Sequence, residues 1–156
     1  MVGAALTAQT TYAGIIADGH HVHRDALRVA WKAIGPERLF LVTDSMQTVG
    51  SDITEFTLNG RLVRLEAERL SLDDGTLAGA ALDMATAVRN AIHFLDIRLE
   101  DALAMASLNP ARFLGIASQR GGLAPGAAAD MVALSPGLDL LGTWIAGEWQ
   151  STLPSG

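Results

Sequence analysis

The chain has no cysteine among its 156 residues. A disulfide framework and any thiolate metal site are therefore excluded, and a reducing compartment is permitted. Charge is sparse, at 18% of residues, and basic charge is sparser still: 11 Lys and Arg against 17 Asp and Glu, a net charge of −6 and a pI near 5.0. That balance argues against a general binder of nucleic acid or of anionic membranes, although one local arginine still suffices for a phosphorylated small molecule. No uncharged apolar run approaches the roughly 18 residues that span a bilayer. The opening MVGAALTAQT has neither a basic n-region nor a long apolar h-region, so no signal peptide is expected. Internal repeats and low-complexity tracts are also missing. What the chain does have is apolar residues, 49% of the total, enough for the core of one ordinary domain.

The apolar residues fall into a recognisable order. Residues 12–17 (YAGIIA) form a short apolar run that reads as a buried strand ending at Asp18-Gly19. Residues 24–34 place Leu27, Ala30, Trp31 and Ile34 at helical spacing, and Gly35-Pro36 stops the helix. Residues 39–43 (LFLVT) are a second strand, ending at Asp44. Strand, helix, strand, with both strands apolar on both faces, is the signature of a parallel sheet covered by helices, so the fold class is α/β. Residues 45–52 read as loop. The stretch 55–72 alternates and contains Asn59-Gly60, a hairpin signal, and Asp73-Asp74-Gly75 closes it. Residues 82–95 and 99–108 read as helices, the first with Leu82, Ala85, Val88, Ile92 and Leu95 on one side. A third, short helix is expected with Asn109 as N-cap, Pro110 at its first position and Gly115 as its stop. Beyond Gly115 the pattern becomes short strands punctuated by Gly and Pro, at 131–134 and 140–146, followed by an Ala146-Gly147 turn. A domain boundary is expected near residues 117–122, separating residues 1–118 from residues 119–156.

Three features carry candidate chemistry. Asp18-Gly19-His20-His21-Val22-His23 places three of the four histidines within four residues, just after a parallel-strand candidate. Imidazole can ligate a metal, donate to a substrate oxygen or carry a proton; the competing reading is a set of solvated loop histidines. On an extended chain His21 and His23 share a face. Asp44, ending LVTD, is the second feature: a carboxylate at the C-terminal end of a barrel strand points into the mouth where active sites are built, whereas an ordinary N-cap or loop aspartate is the competing reading. The third is residues 75–79 (GTLAG), a loop before a helix whose free N–H groups are placed to cradle an anion or a hydroxyl-rich ligand. His93, inside a helix and off its apolar stripe, reads as a surface residue. Trp31, Trp144 and Trp149 read as packing residues, and Arg112 as structural.

Taken in order, VGAAL (2–6), GIIADGHHV (14–22), LVTDSM (41–46), GTLAGAALDM (75–84), AVRNAI (87–92), ASLNPARFLG (106–115) and GGLAPGAAADMVALSP (121–136) resemble the C-terminal part of the N-acetylglucosamine-6-phosphate deacetylases of the amidohydrolase superfamily. The resemblance covers nearly the whole chain. The histidine, LVTD and GTLAG segments are its specific part; NPAxxLG and the GxLxPGxxAD tail are shared more widely across the superfamily. It implies a (β/α)8 barrel with a small β-sandwich, of which residues 1–118 are the last strands and helices of the barrel and 119–156 a sandwich segment. It implies Asp44 as the catalytic aspartate, His21 as a contact to the sugar phosphate, and Leu77, Ala78 and Gly79 as the loop that touches the substrate. His20 and His23 match no functional position.

The same resemblance implies a divalent metal, zinc or iron, whose ligands are expected upstream of this chain; none is expected among its own residues. The reaction it implies for the intact enzyme is hydrolysis of the acetamide of N-acetylglucosamine 6-phosphate to acetate and glucosamine 6-phosphate. The chain itself is expected to be a fragment, inactive alone, needing a complementary N-terminal half or forming part of a homo-oligomer when intact. No nucleic-acid or membrane partner is expected, and a cytoplasmic location fits sugar-phosphate chemistry. The alternatives are a different amidohydrolase-superfamily deacetylase, a non-catalytic sugar-phosphate-binding fragment, and an inert truncation product.

Overall fold

A computed structural model describes residues 2–151; the last five residues of the expected 119–156 segment lie outside the described residues. The order of elements is α1 (Val2–Thr7), β1 (Ala13–Ile16), α2 (Arg24–Ile34), β2 (Leu39–Val42), β3 (Glu55–Leu58), β4 (Arg61–Glu66), β5 (Arg69–Leu72), β6 (Leu77–Ala80), α3 (Met84–Leu95), α4 (Leu99–Ala106), α5 (Leu108–Phe113), β7 (Met131–Leu134), β8 (Leu140–Ile145) and β9 (Glu148–Ser151). The class is α/β, as the sequence pattern predicts. β1 and β2 pair in parallel, β3 to β6 form a four-stranded antiparallel sheet, and β7 to β9 a three-stranded antiparallel one.

The parallel pair is the heart of the larger core. Ile15 and Ala17 from the first strand region, and Leu39 and Leu41 from β2, are buried with Leu27 and Ile34 of α2 and with Ala87, Val88, Ala91 and Leu95 of α3. The buried stripe of α3 is thus centred on Ala87, Val88 and Ala91, with Ala85 and Ile92 only half-buried, a small rotation from the expected stripe. Small alanines on that face let the helix approach the sheet closely. A second cluster, Phe56, Val63, Leu70 and Ala78, holds the four-stranded sheet. Its first turn is the expected one: Asn59 and Gly60 take φ of 50° and 79°, the pair of positive values a two-residue hairpin favours.

Three expectations need correction. Residues 77–79 are not an open loop but belong to β6, because the turn at 72–76 is tight: Thr76 O accepts from Leu72 N–H at 2.9 Å, and Asp74 Oδ1 accepts from Thr76 N–H at 3.0 Å. The following helix starts at Met84 rather than Leu82, with Asp83 as the N-cap accepting from Thr86 N–H. Asn109 is not an N-cap. It lies inside α5, fully buried, and its Nδ2 donates to Pro36 O at 2.6 Å and Leu39 O at 2.8 Å. A buried amide serving two carbonyls at the start of β2 outcompetes a solvent-side cap. Arg112 lies 3.4 Å from Asn109 Oδ1, a structural role as read. Trp144 and Trp149 are cross-strand partners with ring centroids 4.4 Å apart.

Replacing Asn109 by Ala removes both of those donors and leaves a void at the foot of β2. The expected cost is about 1–3 kcal/mol of unfolding free energy, read as a lowered urea midpoint with an unchanged slope. An unchanged midpoint would show that the two carbonyls find other donors.

Candidate functional site

Parallel pairing brings the chemistry together. In the β1–β2 register Ile16 lies opposite Val42, so Asp18 and Asp44 each sit two residues beyond the last matched pair, at the same end of the sheet. Asp44 adopts a left-handed backbone, φ 54°, a conformation aspartate tolerates better than most residues. Two backbone hydrogen bonds hold it there: Ala80 N–H donates to Asp44 O at 2.8 Å, and Met46 N–H donates to Ala80 O at 3.1 Å. Together they form a parallel bridge between Ser45 and Ala80, and the Ser45 hydroxyl donates to Leu82 O. The Asp44 side chain is left 52% exposed.

His21 reaches into the same space. Its Nδ1 lies 2.6 Å from Asp18 Oδ2, and its Nε2 lies 4.0 Å from Asp44 Oδ2. Asp18 Oδ1 accepts from the backbone N–H groups of His20 and His21, each at 2.9 Å. The Asp18 side chain is only 7% exposed and that of His21 18%. Burial acts against the charge on Asp18, but those two N–H groups and the His21 ring outweigh it and hold the carboxyl below its usual 3.8.

The histidine cluster is therefore divided. The chain bends through residues 18–22, so His21 and His23 do not share a face. His23 is the N-cap of α2, its Nδ1 accepting from Asp25 N–H at 3.3 Å, and His20 is exposed. The spacing does not single out Asp18, although a carboxylate two and three residues ahead of the N–H groups at a strand end is a recurrent turn pattern.

Residues 77–79 flank Asp44 through β6. Ala78 is buried in the second core cluster, so its side chain points away from the opening, while Leu77 and Gly79 are half-buried. Gly79 has φ 85°, and a Cβ there would lie 2.3 Å from Met46 Cγ and 3.3 Å from Asp44 O. The missing side chain is what allows Met46 to cross β6 and the Asp44 carbonyl to approach it. A cavity of about 150 Å³ is lined by Asp18, His20, Glu68, Asp83 and Asn90 among others, and Asn90 Nδ2 donates to Ala17 O at 2.8 Å.

Among the described residues no group of three or more His, Cys, Asp or Glu side chains is arranged to hold a metal. With Nδ1 of His21 engaged by Asp18, only His21 Nε2 and Asp44 converge on one point. Two donors fall short of the three protein ligands a catalytic zinc uses, so the residues present do not by themselves fit that group. Also among the described residues, no helix is long and apolar enough to cross a membrane.

A profile of the amidohydrolase family matches residues 8–150. An N-acetylgalactosamine-6-phosphate deacetylase of Shewanella sp. (strain ANA-3) is 48% identical over 95% of this chain and 37% of its own length. A relative from Escherichia coli (strain K12), 40% identical over 97% of this chain, is itself covered over 90% of its length. Among solved structures, an N-acetylglucosamine-6-phosphate deacetylase from Pasteurella multocida superposes with a TM-score of 0.92 at 34% identity, over 97% of this chain and 39% of that one. The chain thus spans less than half the length of the Shewanella and Pasteurella proteins.

Two outcomes follow from this geometry. Gly79→Ala should destabilise the fold by about 1–2 kcal/mol from its backbone angle alone, in denaturant titrations, and perturb the Met46 methyl resonance; a Met46 signal left unmoved would remove the steric argument. Acid should also act through Asp18. Its folded pKa lies below the unfolded one, so the folded chain binds fewer protons; the stabilisation is complete above the unfolded value and fades as pH falls toward the folded one. Urea midpoints should drop as pH falls below about 5, less steeply in Asp18→Asn, and parallel slopes would contradict the assignment.

Proposed function

The chain belongs to the amidohydrolase family, and we propose that it supplies the proton-transfer and substrate-orienting side of an enzyme that hydrolyses the acetamide of an N-acetylhexosamine 6-phosphate. The observation that carries the reading is the half-exposed Asp44 carboxylate at the end of β2, facing His21 Nε2 across 4.0 Å. The architecture proposed for the complete enzyme is a (β/α)8 barrel with a small β-sandwich. In it β1 and β2 are barrel strands and the C-terminal sheet is a sandwich segment. The names of the relatives support the substrate class and widen it: N-acetylgalactosamine 6-phosphate stands beside the glucosamine epimer implied by the sequence resemblance.

Hydrolysis of an amide requires a proton to leave the attacking water and a proton to reach the departing nitrogen, which is a poor leaving group until protonated. Asp44 serves both steps. Its carboxylate accepts the proton as the C–O bond forms, then gives it to nitrogen as the C–N bond breaks, releasing acetate and the amino sugar phosphate. The 52% exposure of the Asp44 side chain gives substrate and water access. His21 orients the substrate through Nε2, and Leu77, Ala78 and Gly79 border it, Ala78 through its backbone. The divalent metal, zinc or iron, is assigned to ligands other than the two donors that converge among the described residues. The reaction is accordingly a property of the complete enzyme, with a complementary N-terminal half or a homo-oligomer as the partner. A phosphorylated sugar substrate favours a cytoplasmic setting.

The decisive assay is acetate release from both epimers by the purified chain with zinc or iron, alone and mixed with the N-terminal half of a deacetylase relative. Activity is expected in the mixture only. Turnover by the chain alone would contradict the metal assignment, and an inert mixture, where the relative's own two halves recombine to activity, would contradict the function. Asp44→Asn in the active mixture should lower kcat by about 10²–10⁴-fold while substrate affinity stays within a few-fold; retention of most activity would displace Asp44 from its role.

A further inference from the structure

Neither the histidine cluster nor the family match assigns a role to Asp18, the most completely buried carboxylate of the site. Its two oxygens are used differently. Oδ1 takes the N–H groups of His20 and His21, and Oδ2 is left for the His21 ring at 2.6 Å. An ionised carboxylate only accepts hydrogen bonds, and these donors, acting against burial, keep Asp18 ionised. The ring nitrogen facing it therefore carries the hydrogen.

We propose that Asp18 is a positioning residue whose carboxylate fixes His21 as the Nδ1–H tautomer, leaving Nε2 as the single ring atom that meets the substrate. The same oxygen-to-nitrogen contact sets the ring's rotation. His21 is 18% exposed and lies in the bend at residues 18–22, and of its two nitrogens only Nε2 faces Asp44. The 4.0 Å between Nε2 and Asp44 Oδ2 is too long for a direct hydrogen bond. One oxygen atom at about 2.8 Å from each bridges it with ordinary geometry. The tautomer decides how such an oxygen is held: with Nδ1–H facing Asp18, Nε2 accepts its hydrogen. This use of the site rests on the deacetylase reading; the tautomer itself does not.

Asp18→Asn is the informative variant. Asparagine keeps an oxygen for the two backbone N–H groups, so the turn survives, but its NH₂ can donate to Nδ1 and invert the tautomer. The chain is labelled with ¹⁵N-histidine, and its two-bond ¹H–¹⁵N ring correlations are recorded, with His21 identified by its disappearance in His21→Gln. The expected result is an Nδ1–H pattern in the wild-type chain and an Nε2–H or averaged pattern in Asp18→Asn. A wild-type His21 that is Nε2–H, or that averages between tautomers, overturns the proposal, whether or not the variant folds. So does a folded Asp18→Asn whose pattern matches wild type. In the recombined enzyme the variant should lose about 10²-fold or more in kcat, the scale of a mis-set catalytic tautomer, with KM shifted far less. A kcat loss without a tautomer change would mean Asp18 is merely structural and overturns the proposal too. A mixture inert with either sugar phosphate would sink the deacetylase reading while the wild-type spectrum still decides the tautomer.

Discussion

Everything in the site depends on one register. Because residues 13–16 lie beside residues 39–42 in parallel, both strands end on the same side, and the two aspartates that follow them emerge together. Antiparallel pairing would put them at opposite ends of the sheet. Shifting the register by one residue would turn the buried residues Ile15, Leu39 and Leu41 outward. The register that builds the core is thus the one that assembles the site, and α2 is the crossover that makes the parallel pair possible. The Ser45–Ala80 bridge then extends the arrangement, fixing the backbone of Asp44 against a strand from the second sheet. The antiparallel excursion at residues 55–80 is therefore more than an appendage: its last strand is the wall that sets the angle of the Asp44 carbonyl.

How much of this is legible in the sequence follows from the range of the interaction concerned. Elements governed by short-range rules read out well. The bounds of α2 agree with the spacing of its apolar residues and with Gly35 as its stop, the Asn59-Gly60 turn takes the expected backbone, and the tail strands fall where Gly and Pro bracket apolar runs. Elements that owe their form to distant partners do not. LAGA has little intrinsic strand preference and pairs because Arg69 and Ser71 lie opposite it. Asn109 precedes a proline in what reads as a cap sequence, yet its amide is claimed by carbonyls 70 and 73 positions away. Asp44 and His21 are singled out as candidates by strand-end position and family resemblance. Asp18 has a polar, local look that hides a long-range consequence, since the ring it holds faces a residue from another strand.

Asp18 and Asp44 show how environment separates two identical side chains. Asp18 is shielded from water and wrapped by three donors, so its charge is fixed and its geometry rigid. Asp44 has a constrained backbone but a carboxylate open to solvent and to whatever enters the gap beside Nε2. The proton transfer proposed at Asp44 is favoured by that accessibility, and the hold on the imidazole by burial. His21 stands between them, with one nitrogen committed to the rigid partner and the other turned toward the open one.

That division is built from local structure. Holding an imidazole and a carboxylate in a fixed relation needs a sheet, a crossover helix and one bridging strand, all present within residues 13–80. The described residues place no group of three His, Cys, Asp or Glu side chains there that could hold a metal. The shape of the site is set by its own hydrogen bonds, so Asp44 and His21 are already oriented toward the gap between them.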